Sequence, residues 1–162
     1  MVSFVALLAL SASALASPVA LQERETVIPN NWHWSVTGWE ASCIRSLCTY
    51  LFNVTVPSVE NISGVSATCI GYENGGYKKE NTYADCDVFA GAKNNEVAAK
   101  FSTRPAEGDN NPGEIFVSFK QLGDGKSKAT YTYAGRAGIV FNHGLYEVPR
   151  FEIGAENVTA VL

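Results

Sequence analysis

Residues 48–57 read CTYLFNVTVP. Tyr50, Phe52, Val54 and Val56 alternate with Thr49, Leu51, Asn53 and Thr55, and a period of two residues is the pattern of a strand with one face in a core and one in water. Pro57 has no amide hydrogen to give the next rung of a ladder, so the strand ends there. A helix would repeat its apolar face every 3.6 residues, whereas the apolar residues here recur at every second position.

The same rhythm extends in both directions. Upstream, Trp32, Trp34 and Val36 oppose His33, Ser35 and Thr37 and predict a first strand. Downstream, residues 65–72 and 82–89 are rich in β-formers, and ENGGYKKEN (73–81) between them carries Gly75, Gly76 and several charges, the composition of an exposed hairpin loop. Further strands are expected over 96–102, 114–122, 127–133, 138–141, 145–153 and 158–162. Gly123-Asp124-Gly125 is a hairpin signal, Asn142-His143-Gly144 a second turn, and TRPAEGDNNPG (103–113) reads as an exposed, mobile loop. About ten short strands are enough to close a single compact antiparallel β-barrel or stack a sandwich, so the fold class is all-β.

The amino terminus sets the compartment. Phe4 to Leu10 form a short apolar run and Ala14-Leu15-Ala16 supplies a small-residue cleavage pattern, so residues 1–16 read as a signal peptide cut after Ala16, although no Lys or Arg precedes the run. The run is too short to span a bilayer, and no membrane anchor is expected. Residues 17–28 have no period. They read as a flexible lead-in or a short pro-segment cut after Arg24, or equally as an ordered arm, ahead of one β domain over 29–162. Twelve basic and sixteen acidic residues leave a net charge of −4, with the cations scattered, so nucleic acid is not an expected partner.

Four cysteines, Cys43, Cys48, Cys69 and Cys86, form an even set in a chain marked for export, where disulfides persist. Cys43 and Cys48 flank a gap that closes locally, and Cys69 and Cys86 stand across the expected hairpin, which favours pairing 43 with 48 and 69 with 86. Zinc ligation needs tight CxxC or histidine spacing, which is lacking, and no metal is expected.

Candidates for chemistry are few. His33 and His143 lie in no nucleophile or metal motif, and the sequence has no GxSxG, HExxH or P-loop, so no catalytic residue and no cofactor is expected. Asp85 and Asp87 share a face with Tyr83 and suit a two-carboxylate glycosidase on paper, but alternation beside Cys86 points them to solvent. Trp32, Trp34, Phe52, Phe119 and Phe141 fall at core positions. Trp39, lying past Gly38 and near the Cys43 loop, is the aromatic to test for exposure and the candidate contact for a flat ligand. The sequons at Asn53, Asn61 and Asn157 are candidate glycosylation sites, with Asn61 in a probable loop the best of them.

Trp34-Ser35-Val36-Thr37, the aromatic strand Tyr50 to Val54, the hairpin clipped by Cys69 and Cys86, and the later runs IFVSFKQL (115–122) and KATYTYAG (128–135) together resemble the Alternaria major-allergen family of small secreted fungal proteins. The resemblance covers residues 32–135. It implies a compact β-barrel without an established enzymatic activity, with roles in binding plant defence proteins or flavonoid-type ligands, and the expected function is a non-enzymatic elicitor or effector in the host apoplast that engages a plant surface component and triggers plant defence and hypersensitive cell death. The family's archetype has a further cysteine that joins two subunits. None is left over here once two bridges form, so a monomer or non-covalent oligomer is expected, and the archetype has no counterpart to the Cys43–Cys48 clip. Three functions follow for testing: an elicitor presenting loops 73–81 and 103–113, a small-ligand carrier using Trp39 at the barrel mouth, and a cell-wall hydrolase using Asp85 and Asp87.

Overall fold

The computed structural model describes residues 27–44, 47–75, 79–104, 111–122, 129–141 and 150–161. The signal peptide, Arg24, the turn at Asp124-Gly125 and His143 lie outside the described residues. Nine strands run in chain order: β1 (His33–Ile44), β2 (Leu47–Val56), β3 (Val65–Tyr72), β4 (Ala84–Asp85), β5 (Asp87–Gly91), β6 (Asn95–Phe101), β7 (Glu114–Gln121), β8 (Thr130–Gly138) and β9 (Phe151–Val161). No helix occurs among the described residues. All ladders are antiparallel, in the order β4-β6-β7-β8-β9-β1-β2-β3-β5.

The two ends of that order, β4 and β5, are neighbours in the chain and are interrupted only at Cys86. The segment 84–91 therefore crosses the seam of the barrel: Ala84 and Asp85 pair with Ala99 and Ala98 of β6, while Asp87 to Gly91 pair with β3. At the changeover the Cys86 amide donates to the Val97 carbonyl at 2.8 Å, and its sulfur is bonded to Cys69 of β3. One short segment thus closes nine strands into a nearly complete barrel. The sequence expectation of one strand over 82–89 is corrected here, because the segment changes partner midway. The strand expected over 138–141 is also corrected: β8 ends at Gly138.

The inward faces are aromatic. At one end Trp32 meets Trp34 at 5.6 Å and Tyr133 at 5.0 Å between ring centroids, and its Nε1 donates to the Pro57 carbonyl at 2.9 Å. At the other end Trp39, Phe52, Tyr50, Phe101 and Phe141 follow one another at 4.9–5.7 Å. These spacings suit edge-to-face and tilted ring pairs, and they fill the interior with side chains. Trp34 is fully buried, yet its Nε1 has no hydrogen-bond partner among the described residues.

Trp39 is not exposed. Gly38 adopts a left-handed φ of 65°, which favours glycine, and the β1–β2 register shifts between Thr37 and Glu40. That bulge adds one residue to β1 and reverses which side of the sheet the following residues face. Trp39 and Ala41 consequently continue the inward row of Trp34 and Val36; Trp39 is 2% exposed, and its Nε1 donates to the Val140 carbonyl at 3.0 Å.

A second glycine has a packing reason. Gly71 stands opposite Tyr50, and a Cβ there would collide with the Tyr50 ring and hydroxyl. The bare backbone lets the ring lie over it and reach the Ala99 carbonyl of β6 at 2.8 Å.

Both favoured disulfides form, Cys43–Cys48 and Cys69–Cys86. Chain-entropy arithmetic assigns about 3 kcal/mol to the longer loop and about 2 kcal/mol to the shorter. Replacing Cys69 and Cys86 by Ala is expected to lower the urea unfolding free energy by about 1 kcal/mol more than replacing Cys43 and Cys48. Equal losses would show that seam closure does not depend on the longer bridge.

Candidate functional site

The outer face of β1–β2–β3 divides into two halves. Because Cys48, Tyr50, Phe52, Val54 and Val56 face inward, Leu47, Thr49, Leu51, Asn53 and Thr55 face water. Toward the β2–β3 turn this face is polar: Thr68 donates to Asn53 Oδ1 at 2.7 Å, and the Thr55 and Ser66 hydroxyls lie 3.3 Å apart. Toward the Cys43–Cys48 end it is mixed: Glu40 stands opposite Leu51 and the Ser42 and Thr49 hydroxyls lie 3.2 Å apart, with apolar side chains beside them. Leu51 stands opposite Ile70, Thr49 opposite Tyr72, and Ile44 opposite Leu47 at the hairpin end. Ile70 and Tyr72 are 63% and 61% exposed, and Ile44 is 75% exposed. Cross-strand neighbours on one face touch, so Leu51, Ile70 and Tyr72 form one apolar row on β2 and β3, with Ile44 and Leu47 beyond the Ser42–Thr49 pair.

Behind this row lies a buried ion pair that the sequence reading missed. Glu73 directly follows β3, and its amide donates to the Cys48 carbonyl at 2.8 Å. Arg104 follows β6, and its Nε donates to Glu73 Oε1 and Oε2 at 2.6 and 2.7 Å. The Arg104 Nη2 lies 2.6 Å from Glu73 Oε2 and 3.1 Å from Cys48 Sγ, and both side chains are wholly shielded from solvent. Beside them Asn81 accepts from the Asn74 and Gly75 amides at 2.8 and 2.7 Å and donates to the Ser102 carbonyl at 3.1 Å.

The expectation that 73–81 and 103–113 are exposed loops is thereby corrected at their described ends. Glu73, Asn81, Arg104 and Pro112 are buried, because each anchors its loop against the barrel. Residues 76–78 and 105–110 lie outside the described residues. No periodicity marks a charged residue in a turn-rich stretch as buried, so only its partner in space reveals it.

The remaining candidates are dispersed. Asp85 and Asp87 are both exposed, as alternation indicated, and His33 is exposed on β1. Tyr83 and Phe116 flank Lys100, whose Nζ lies 4.9 and 5.7 Å from their ring centroids. Asn53, Asn61 and Asn157 are exposed on β2, on the β2–β3 connection and on β9. Among the described residues no cluster of three or more His, Cys, Asp or Glu is placed to hold a metal, and no helix is long and apolar enough to cross a membrane.

The chain matches no protein-family model, no curated protein and no solved structure. The family resemblance therefore rests on the residues quoted for it.

Two consequences are measurable. Removing one member of a buried pair strands the other charge, whereas removing both does not. Arg104→Met or Glu73→Gln is expected to cost about 3–5 kcal/mol in urea unfolding, and Glu73→Leu/Arg104→Met distinctly less than Arg104→Met alone. A double variant as damaged as the single would mean that the pair is not coupled.

Burial pushes the Tyr50 hydroxyl up from 10 to about 12, and burial also raises Tyr83 and Tyr133, the latter with help from Tyr131. The unfolded chain then releases these protons before the folded one does. Stability should be unaffected by them below about pH 10 and fall as pH rises from 10 toward 12. The urea midpoint followed over this window should decline less steeply in Tyr50→Phe; an identical decline would remove Tyr50 from the account.

Proposed function

We propose that this chain is exported and acts without catalysis, as an elicitor of plant defence that contacts a host surface component through the outer face of β2 and β3. The apolar row Leu51, Ile70 and Tyr72 is the observation that carries this reading. Contiguous exposed apolar surface is costly in water and marks interaction sites, and here it sits on a sheet clipped by Cys43–Cys48 and Cys69–Cys86. A clipped sheet presents its side chains without an ordering cost at binding. The signal-like start and the two bridges support export to an oxidising compartment. The resemblance over 32–135 supports the choice of a plant target, and glycans at Asn53, Asn61 and Asn157 fit their exposure.

The carrier reading gains nothing from the interior, where rings in mutual contact occupy the space a flavonoid would need and Trp39 is engaged with Val140. These contacts support a contact surface on the outside of the barrel.

Oxidised protein infiltrated into leaves is expected to cause local cell death. Leu51→Asp/Ile70→Asp, which alters only outward positions, should retain the β circular-dichroism spectrum and require about tenfold more protein for the same response, the loss of roughly one apolar anchor. A well-folded wild type that is inert on every host tested would end the elicitor reading; equal potency of the variant would move the contact to another face.

A further inference from the structure

The two disulfides sit in different chemical settings. Cys69–Cys86 joins the two sides of the seam, whereas Cys43 and Cys48 are directly opposed at the end of one hairpin, separated by five positions. Opening the second bridge leaves the β1–β2 rungs Ser42↔Thr49 and Ala41↔Tyr50 in place, so the barrel does not depend on it. Its two cysteines are also unequally buried. Cys48 is fully buried, while Cys43 is partly exposed beside the exposed Ile44 and Leu47. The Arg104 Nη2 meets Cys48 Sγ at 3.1 Å, held there by the two-oxygen grip of Glu73 on the guanidinium.

We propose that Cys43–Cys48 is a thiol-exchange site for low-molecular-weight thiols. The incoming thiolate attacks Cys43 Sγ, the sulfur of the less buried cysteine, and forms a new S–S bond to it. The Cys43–Cys48 bond breaks, and its electron pair leaves on Cys48 Sγ as a thiolate. One thiolate enters and one departs, so the step needs no proton and no other reductant. A second thiolate attacking the mixed disulfide releases the symmetrical disulfide and leaves Cys43 and Cys48 reduced.

The regiochemistry follows from burial, since attack at a sulfur requires access and Cys48 is fully buried whereas Cys43 is only partly so. The rate advantage follows from the leaving group. A positive neighbour favours the thiolate, and thiol–disulfide exchange is faster when the departing sulfur carries its charge easily. The guanidinium is already in place, so no reorganisation accompanies the developing charge. Glu73 shares that guanidinium and limits how much charge it can neutralise, but it also fixes the fork so that Nη2 points at the sulfur.

The full-length oxidised protein, treated with reduced glutathione, acid-quenched, alkylated and mapped by mass spectrometry, tests this. The expected product carries glutathione on Cys43 and the alkyl label on Cys48, with Cys69–Cys86 intact and the β spectrum unchanged. Glu73→Leu/Arg104→Met, which leaves no buried charge unpaired, should open about tenfold more slowly, the worth of one charge-assisted hydrogen bond. Glutathione on Cys48, or Cys69–Cys86 opening as fast as Cys43–Cys48, would overturn the proposal from the wild type alone, whatever the variant's folding. An unchanged opening rate in a folded double variant would remove Arg104 from the mechanism and overturn it equally.

Discussion

Everything in this barrel depends on how its two open edges are brought together. A sheet with free edges exposes unpaired amides and carbonyls, and closure is the remedy that removes them. Here β3 and β6 stand on either side of the gap without a ladder between them. The segment 84–91 crosses that gap, pairing first with β6 and then with β3. Cys86 sits where the partner changes, with its amide committed to one side and its sulfur to the other. A covalent bond is well placed at the one position where the hydrogen-bonded ladder is interrupted.

The same gap explains where the buried polar side chains are. Among the described residues they are Glu73, Asn81, Asn95 and Arg104, and every one of them links chain on the β3 side with chain on the β6 side. Asn95 donates to the Ser63 carbonyl at one end, Asn81 to the Ser102 carbonyl at the other, and Arg104 grips Glu73. Tyr50 reaches across from β2 to the Ala99 carbonyl between them. Backbone groups that a ladder would have satisfied are met by side chains instead, as buried polar groups require. A buried ion pair is weak evidence of net stabilisation, so the Glu73–Arg104 pair is better understood as fixing which loop packs against which edge.

How much of this was legible in the sequence follows from the range of each interaction. The strand around Phe52 and its outward Leu51 and Asn53 were readable because alternation is local and β2 has no bulge. The disulfides were readable because each joins neighbours in a hairpin. The burial of Trp39 was not readable, because one extra residue at Gly38 reverses the phase of everything after it and the alternation of Trp34 and Val36 carries no warning of that. The change of partner at Cys86 leaves no trace in composition, since both halves of 82–89 are equally β-like. Arg104 and Glu73, 31 positions apart, sit in polar, turn-rich stretches where exposure is the ordinary expectation. Closure brings them together, and closure is the part of the fold that periodicity does not encode.

The division of labour between inside and outside then follows from volume. A barrel of this size whose inward rows are mainly Trp, Tyr, Phe and Val spends its interior on its own stability. Ring after ring lies in contact at 4.9–5.7 Å. The outer surface is uneven: hydroxyl and amide groups satisfy one another at Asn53, Thr55, Ser66 and Thr68, whereas Leu51, Ile70 and Tyr72 are exposed apolar side chains. These apolar side chains lie toward the end of the sheet clipped by Cys43–Cys48, outside the Arg104–Cys48 contact. A change in that clip would be felt first by the hairpin carrying Ile44 and Leu47, so the chemistry of the small bridge and the shape of the exposed row belong to the same end of the molecule.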